Sequence, residues 1–244
     1  MRAILFDFGG TLDFPRHWLD RFLAHYRAAG ILISREELEP AFDAATKYAY
    51  SAGSTVREFG LTALIQYLLE HQFVNLRKRG LLPAPNSITA NSGTTGSLEL
   101  MTQIRDAFVA ESSNGLAVSR PLLMSLAPRF RLGVVSNFYG NLTRILAEAD
   151  LSHAVHAVAD SGTIGFYKPD TRLFTAALTK LGMRPEETVM VGDSIAKDCV
   201  PAHAMGMRTV WLRHSENAGQ VHSDAVDFTL NRLQGLTEYT WLKS

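Results

Sequence analysis

Four polar residues spread along the chain could together perform chemistry on a phosphoryl group. Asp7 follows a short apolar run and precedes two glycines and Thr11. A carboxylate in this setting can act as a nucleophile, because the missing glycine side chains leave its approach to a substrate open. Ser136 offers a hydroxyl donor, Lys168 a cation and Asp193 a second carboxylate. These groups could bind a phosphate, neutralise its charge and hold a hard metal cation.

The elements that must position these residues alternate between short apolar runs and helical patterns. Apolar runs that end in polar residues predict buried strands, here over residues 3–6, 130–135, 154–158, 188–191 and 208–212. Apolar residues recur with helical spacing over 142–149 and 173–181, and Gly182 supplies a stop for the second helix. This alternation predicts an α/β fold with a parallel sheet, in which ligands bind beyond the carboxyl ends of the strands. We therefore expect the polar strand ends to converge on one crevice.

The part of the chain between the first two strands has a different pattern. Residues 15–110 carry helical stripes with no convincing strand between them, and the prolines and glycines between 82 and 97 predict a loop. We predict an inserted α-helical domain over residues 15–110. The α/β core would then comprise residues 1–14 and 111–244.

Composition excludes several classes of protein. Of 244 residues, 46% are hydrophobic and 20% are charged, which is typical of a globular protein rather than a disordered or fibrous one. The 24 basic and 24 acidic side chains give a net charge of zero, so no global field would attract nucleic acid or an anionic membrane. The single cysteine, Cys199, excludes an internal disulfide and a thiolate-rich metal site.

Location and partners are also constrained by the sequence. Residues 1–8 form too short an apolar run for a secretion signal, and no run approaches the length of a membrane span. We therefore expect a cytoplasmic protein with neither a nucleic-acid nor a membrane partner. The sequence does not indicate an oligomeric state.

Four segments resemble the motifs of the haloacid dehalogenase-like superfamily, in order and in spacing. They are Asp7–Leu12 (DFGGTL), Val134–Asn137 (VVSN), Tyr167–Asp170 (YKPD) and Val191–Ser194 (VGDS) with Asp198. The resemblance implies a Rossmann-like core and, because the helical insertion follows the first motif, a cap domain of the C1 type. It also implies a hydrolase that acts on a small phosphorylated metabolite.

The resemblance assigns catalytic roles to three residues. Asp7 would attack phosphorus to form an aspartyl-phosphate, which water would then hydrolyse, while Ser136 and Lys168 would stabilise the transferred group. Thr11 and Asn137 would join them in binding phosphate. For Asn137, a turn-forming role and a role in lining the pocket remain open.

The resemblance also implies a bound Mg²⁺ ion. Its ligands would be Asp7, Asp193 and the main-chain oxygen of Gly9. A cation is needed because a carboxylate that attacks a phosphate dianion meets a like charge at contact distance. Gly10, Ser194 and Asp198 would support the site, and direct ligation by Asp198 remains open.

The chain departs from the superfamily pattern at Gly9. Most phosphatases of the superfamily have a second aspartate there, which protonates the leaving group and then activates water. The loss of one such group typically costs about 10² to 10⁴ in rate. A phosphohydrolase could still act on a good leaving group such as an acyl phosphate, or use another acid; the candidates are Asp13, His17, His25 and Asp43.

Two alternatives to a phosphohydrolase follow from the same departure. One is a hydrolase that attacks carbon, as 2-haloacid dehalogenases do, or a phosphonate-type hydrolase. The other is a protein that binds a phosphorylated ligand or a partner with little turnover. The Gly-Asp-Ser sequence at 192–194 resembles the metal-binding form of the fourth motif, which favours the Mg²⁺-dependent phosphohydrolase.

Overall fold

The computed structural model of the protein describes residues 1–82, 96–214 and 223–238. The chain divides into two compact units, one formed by residues 1–16 and 112–244 and the other by residues 17–111. Most of the loop predicted between residues 82 and 97 lies outside the described residues. Among the described helices, none combines the length and the apolar character needed to cross a membrane.

The first unit is built on a six-stranded parallel sheet. Its strands are β1 (Ala3–Phe6), β2 (Arg131–Ser136), β3 (Ala157–Asp160), β4 (Thr188–Gly192), β5 (Arg208–Leu212) and β6 (Phe228–Leu230). They are arranged in the order β3-β2-β1-β4-β5-β6, and every adjacent pair is parallel. The predicted α/β fold with a parallel sheet is confirmed.

Two strands differ from the prediction. The third strand begins at Ala157 rather than at 154, because the backbone before it forms a turn in which the N–H groups of Ala154 and Val155 both donate to the carbonyl of Leu151. The sixth strand, Phe228–Leu230, was not predicted. Three residues are too few to carry a periodic pattern, and this strand forms through its pairing with β5.

The central strands of the sheet are apolar and buried. Every residue of β1 and β4 is buried, as expected for parallel strands that are covered on both faces. The core helices of this unit are α6 (Leu142–Glu148), α7 (Ser161–Ile164), α8 (Thr171–Leu181) and α9 (Val200–Ala204). The apolar stripe of α8 packs against β2 and β3 in a cluster that includes Leu5, Val135 and Phe174. Gly182 ends α8 in the left-handed conformation, as the sequence predicts.

The second unit is helical. It contains α1 (Trp18–Ala28), α2 (Arg35–Ser51), α3 (Ser54–Arg57), α4 (Leu61–Lys78) and the first half of α5 (Ser97–Leu126). Arg21 is fully buried in this unit. Its Nε donates to Glu111 Oε2 at 2.8 Å, and its guanidinium carbon lies 4.0 Å from the centre of the Phe108 ring. The buried cation is thus paired with a carboxylate and stacked on an aromatic face, which joins α1 to α5.

The chain order reverses at β1. Strands β2 and β3 lie on one side of β1, and β4 to β6 lie on the other. In parallel α/β sheets, the loops that leave neighbouring strands in opposite directions open a crevice at the carboxyl ends of those strands. Asp7, after β1, and Asp193, after β4, both lie at this switch point.

Helix α5 contacts the loop after β1 at two positions one turn apart. A Cβ atom built on Gly115 would lie 1.5 Å from the main-chain oxygen of Asp13, so the backbones of helix and loop touch there. Ser119 Oγ donates a hydrogen bond to the carbonyl of Leu12 at 2.8 Å. The loop is therefore held against α5 by a close approach and a buried hydrogen bond.

We predict that Gly115→Ala destabilises the protein. Intrinsic helix propensity alone would make this change favourable by about 1 kcal/mol. The new methyl group would instead collide with rigid backbone, and overpacking of this kind typically costs about 1–3 kcal/mol. Urea unfolding measures the change, with Gly96→Ala as the control because a Cβ at Gly96 meets nothing within 4 Å. Equal unfolding midpoints for the two variants would contradict the close approach.

Candidate active site

Asp7 is fixed by both its main chain and its side chain. Its N–H continues the pairing with β4 by donating to the carbonyl of Val191 at 2.9 Å. Its Oδ1 accepts hydrogen bonds from Ser136 Oγ at 3.0 Å and from Lys168 Nζ at 2.6 Å. Three of the residues singled out in the sequence therefore meet at one carboxylate oxygen. Both of these donors bind Oδ1, which leaves Oδ2 available to a substrate or a cation.

Lys168 bridges two buried carboxylates. Its Nζ donates to Asp7 Oδ1 and to Asp198 Oδ1, each at 2.6 Å. Burial alone would lower the pKa of the Lys168 ammonium, but Asp198 and Asp7 together outweigh burial and raise that pKa above its ordinary value. Lys168 is therefore held as a cation in the middle of the cluster.

Asn137 positions Lys168 through its main chain. The Asn137 amide donates to the Lys168 carbonyl at 3.1 Å, and its Oδ1 accepts the Lys168 N–H at 2.6 Å. The sequence suggested a turn-forming role or a pocket-lining role for Asn137. In the structure the side chain joins the loop after β2 to the segment that carries Lys168.

Asp193 and Asp198 come from the segment that follows β4. Residues Ile195–Cys199 form a π-helical turn, and Ser194 Oγ caps it by accepting the N–H of Lys197. Asp198 Oδ2 accepts the N–H of Ser194 at 3.0 Å, so both Asp198 oxygens are bonded, one to Lys168 and the other to this backbone. Asp198 thus lies where it can support Lys168.

Glycine is required before Asp193. A Cβ on Gly192 would lie 2.3 Å from Asp198 Oδ2, which leaves no room for a side chain between strand and turn. In the Gly-Asp-Ser sequence, glycine is therefore needed at the first position for lack of space, and the serine at the third position caps the turn that follows. The π-helical turn that follows it is a rare element that is frequently found at functional sites.

The cluster has the charge and the ligand type that a magnesium ion requires. Asp7, Asp193 and Asp198 each offer a carboxylate oxygen, and these atoms lie within 4.8 Å of one another. When all three carboxylates are ionised, they and the Lys168 ammonium carry an excess of two negative charges, which one Mg²⁺ would neutralise. Burial, together with the negative charges of Asp7 and Asp198, raises the pKa of Asp193 well above its usual value. Hard carboxylate oxygens suit Mg²⁺, so the residues fit the ion.

The second glycine of the pair that follows Asp7 and Phe8 lies against Asp193. Gly10 has φ +87°, and a Cβ built on it would lie 2.5 Å from Asp193 Oδ2. Gly10 therefore needs to be glycine for both its backbone conformation and its contact. Thr11 is buried, and its Oγ1 has no hydrogen-bond partner among the described residues. A buried hydroxyl without a partner is costly, and a bound ligand could satisfy it.

The four side chains that the sequence offers as an acid in place of the missing one at Gly9 differ in burial and in hydrogen bonding. Asp13 is fully buried and accepts the Gly10 N–H, while His17 Nδ1 accepts the Leu19 N–H at the start of α1. His25 Nε2 lies 3.0 Å from Glu111 Oε2. Asp43 is exposed on α2. Three of the four thus take part in structural hydrogen bonds or ion pairs.

Sequence reasoning missed the residues that hold the loop after Ser136. The Asp160 carboxylate, at the end of β3, accepts the N–H groups of Gly140, Leu142 and Gly162 at 2.9–3.0 Å. Ser161 Oγ bonds both the N–H and the carbonyl of Phe138. The polar end of the predicted third strand was the available signal, but the sequence does not reveal which main-chain groups it binds.

Removal of the Lys168 charge should destabilise the fold. Lys168→Met would leave Asp7 and Asp198 buried beside Asp193 without a counter-charge, and breaking a buried pair in this way costs about 3–5 kcal/mol. Urea unfolding without added metal measures the loss. Lys180→Met is the matched control, since Lys180 is exposed and, among the described residues, donates only to the carbonyl of Val158. Equal stability of the two variants would mean that the Lys168 bridge does not stabilise the folded chain.

Comparisons with known proteins show which family the chain belongs to. The family model for haloacid dehalogenase-like hydrolases matches residues 1–206. Phosphoserine phosphatase from Thermus thermophilus is 43% identical over 82 residues, which cover 33% of this chain and 33% of that protein. The first curated relatives are matched over only a third to about half of their own length.

Two similarities extend over nearly the whole chain. The mouse haloacid dehalogenase-like hydrolase domain-containing protein 3 is 34% identical over 229 residues, which cover 93% of this chain and 87% of that protein. A solved L-2-haloacid dehalogenase superposes with a TM-score of 0.62 at 16% identity and covers 100% of this chain and 99% of its own, which shows a common fold. Because the family model matches most of the length of this chain, the chain belongs to the haloacid dehalogenase-like hydrolases.

Proposed function

We propose that this hydrolase is a Mg²⁺-dependent phosphohydrolase that acts on a small phosphorylated metabolite through an aspartyl-phosphate at Asp7. The observation that carries the proposal is the arrangement around Asp7: Oδ1 is held by Ser136 and Lys168, and the carboxylates of Asp193 and Asp198 lie close to that of Asp7. The name of the relative from Thermus thermophilus, phosphoserine phosphatase, supports a phosphorylated substrate.

The first half of the reaction transfers the phosphoryl group to Asp7. A carboxylate oxygen of Asp7 forms a bond to phosphorus while the bond from phosphorus to the leaving group breaks, and the leaving group takes the bonding electron pair. Lys168 places its positive charge at the oxygen of Asp7 and offsets charge on the transferred group. Ser136 holds the carboxylate in a fixed orientation, and Thr11 Oγ1 is available to donate to phosphate.

The second half of the reaction releases phosphate. Water attacks phosphorus, the bond between phosphorus and the Asp7 oxygen breaks, and the Asp7 carboxylate is restored as a proton passes to the solvent. Mg²⁺, held by Asp7, Asp193 and the Gly9 carbonyl, would supply the positive charge that offsets repulsion between a carboxylate and a phosphate dianion. Asp198 and Asn137 keep Lys168 in place throughout.

We also propose roles and settings that the resemblance implies for the rest of the chain. The helical unit, residues 17–111, would be the C1-type cap that selects the substrate. The protein would be cytoplasmic and would bind neither nucleic acid nor membranes, which its net charge of zero supports.

Phosphate release tests the proposal. A panel of phosphate esters and acyl phosphates should yield phosphate only with Mg²⁺ present. Asp7→Asn should lose that activity because an amide is a poor nucleophile. Release that persists in Asp7→Asn would exclude Asp7 as the nucleophile. If no substrate of the panel yields phosphate but 2-haloacids release halide, attack at carbon would be favoured. If no substrate yields phosphate but the protein still binds phosphate, a ligand-binding protein would be favoured.

Binding of the cation can be measured without turnover. We expect Mg²⁺ to raise the melting temperature, because a ligand that binds only the folded state stabilises it. Asp193→Asn should abolish the shift, since it removes a proposed ligand. Asp150→Asn is a suitable control, because Asp150 lies on the surface and pairs with Arg120. An unchanged shift in Asp193→Asn would remove this residue from the proposed ligand set.

The glycine at position 9 predicts a particular selectivity. Without an acid at residue 9, the value of kcat/KM should fall steeply as the leaving group becomes more basic, so acyl and aryl phosphates should react faster than alkyl phosphates. Gly9→Asp should raise the rate on alkyl phosphates by about 10² to 10⁴ and change the rate on acyl phosphates little.

A leaving-group series measures this selectivity. Gly9→Asn has a side chain of the same size as aspartate but no carboxyl proton to transfer, so it should keep the steep dependence of the wild type. If the wild type shows no dependence on the leaving group, or if the Asn and Asp variants behave alike, an acid from elsewhere must already serve the reaction.

A further inference from the structure

The two adjacent glycines after Asp7 pose a structural problem. Glycine has the largest conformational freedom of any residue, so the Gly9–Gly10 pair would sample many orientations if nothing held it. In the proposed function the carbonyl of Gly9 is a ligand of the cation, and a ligand must be fixed in direction to bind well. The structure contains two side chains that bind this pair directly.

Asp13 holds the first of the two peptide groups. The N–H of Gly10 donates to Asp13 Oδ1 at 3.0 Å, and Asp13 is fully buried. This peptide group is trans, because the only cis bond among the described residues precedes Pro169. In a planar trans peptide the C=O and N–H groups point in opposite directions. Asp13 therefore directs the carbonyl of Gly9 to the side away from itself.

His214 holds the next peptide group. Its Nε2 lies 2.8 Å from the carbonyl oxygen of Gly10, and the side chain is buried. Because a carbonyl can only accept a hydrogen bond, Nε2 must carry the proton and donate it. The two consecutive peptide groups are thus each bound by a buried side chain from a different part of the chain.

Asp13 is itself rigidly placed. Its main-chain oxygen is in contact with Gly115 of α5, and the carbonyl of the preceding Leu12 accepts a hydrogen bond from Ser119. The carbonyl of Phe8 accepts the N–H groups of Thr11 and Leu12, at 3.2 and 2.8 Å, which closes the turn around the glycine pair. A fixed Asp13 can therefore transmit a fixed direction to the Gly9 carbonyl.

We infer that Asp13 and His214 are positioning residues that hold the Gly9–Gly10 pair so that the Gly9 carbonyl is oriented for the cation. The inference rests on the proposed function, because it concerns the Mg²⁺ site formed with Asp7 and Asp193. It gives Asp13 a role different from proton donation, which the sequence had suggested. Gly10 adjoins Asp193, so the pair lies beside the carboxylate cluster.

The affinity of the intact protein for Mg²⁺ tests the inference. Isothermal titration calorimetry gives the Kd of the ion, and the spectrum of bound Mn²⁺ reports its coordination. Asp13→Ala and His214→Ala should each raise Kd by about 10- to 100-fold, as loss of groups that orient metal ligands typically does. Asp13→Asn and His214→Gln should restore most of the affinity, because an amide oxygen can accept from Gly10 and an amide nitrogen can donate to it.

Ser119→Ala separates orientation from general loosening of the loop. It removes a buried hydrogen bond to the same loop, but at Leu12 rather than at the glycine pair. We expect it to lower stability in urea and to raise the Kd for Mg²⁺ much less than Asp13→Ala does, because Ser119 acts on Gly9 only through the loop. Equal loss of affinity in Ser119→Ala and Asp13→Ala would overturn the inference, as would an unchanged Kd in both folded alanine variants. If Asp13→Ala does not fold, His214→Ala compared with His214→Gln decides.

The same experiment distinguishes this inference from the proposed function. Wild-type protein that binds Mg²⁺ but releases no phosphate from any substrate would overturn the proposed function, and the comparison of Kd values would still decide the roles of Asp13 and His214. Wild-type protein that binds no Mg²⁺ at millimolar concentration would overturn both.

Discussion

The Lys168 ammonium between Asp7 and Asp198 is the interaction on which the rest of the site depends. Each carboxylate is buried, and burial of a charge without a partner is strongly unfavourable. A single cation that bonds an oxygen of each at 2.6 Å lets the chain bring the Asp7 and Asp198 carboxylates together. The hydrogen bonds from Asn137 to the Lys168 backbone, and the π-helical turn that carries Asp198, fix this cation from two sides.

The site is also shaped by close backbone contacts that permit no side chain. Gly10 adjoins Asp193, and Gly192 adjoins Asp198, so a Cβ at either position would overlap a carboxylate of the cluster. A Cβ at Gly115 would overlap the main-chain oxygen of Asp13, where α5 meets the loop after β1. These contacts pack acidic groups and backbone closely, and they explain why the residues that carry charge are interleaved with glycine.

Sequence patterns predicted the parts of the fold that are encoded locally. The strands before Asp7 and Asp193 are continuous apolar runs, and their carboxyl ends meet because the sheet is parallel. The start of the third strand and the whole of β6 were not predictable, since a turn at Leu151 and pairing with β5 decide them. The bonds of Asn137 to Lys168 and of His214 to Gly10 join residues 31 and 204 positions apart, and no local pattern reports such distances.

The charges around Asp7 bear on whether a substrate would be attacked at phosphorus or at carbon. The fold alone does not decide between the two, because a dehalogenase shares it. Attack at carbon requires no cation to screen a dianion. A site built for that reaction would gain nothing from Asp193, whose pKa is raised by burial and by the charges of Asp7 and Asp198. That residue is costly in the absence of a cation and useful in its presence. The presence of a carboxylate at this position therefore supports the proposed phosphoryl transfer, in which the lack of an acid at Gly9 would limit the leaving groups that can depart.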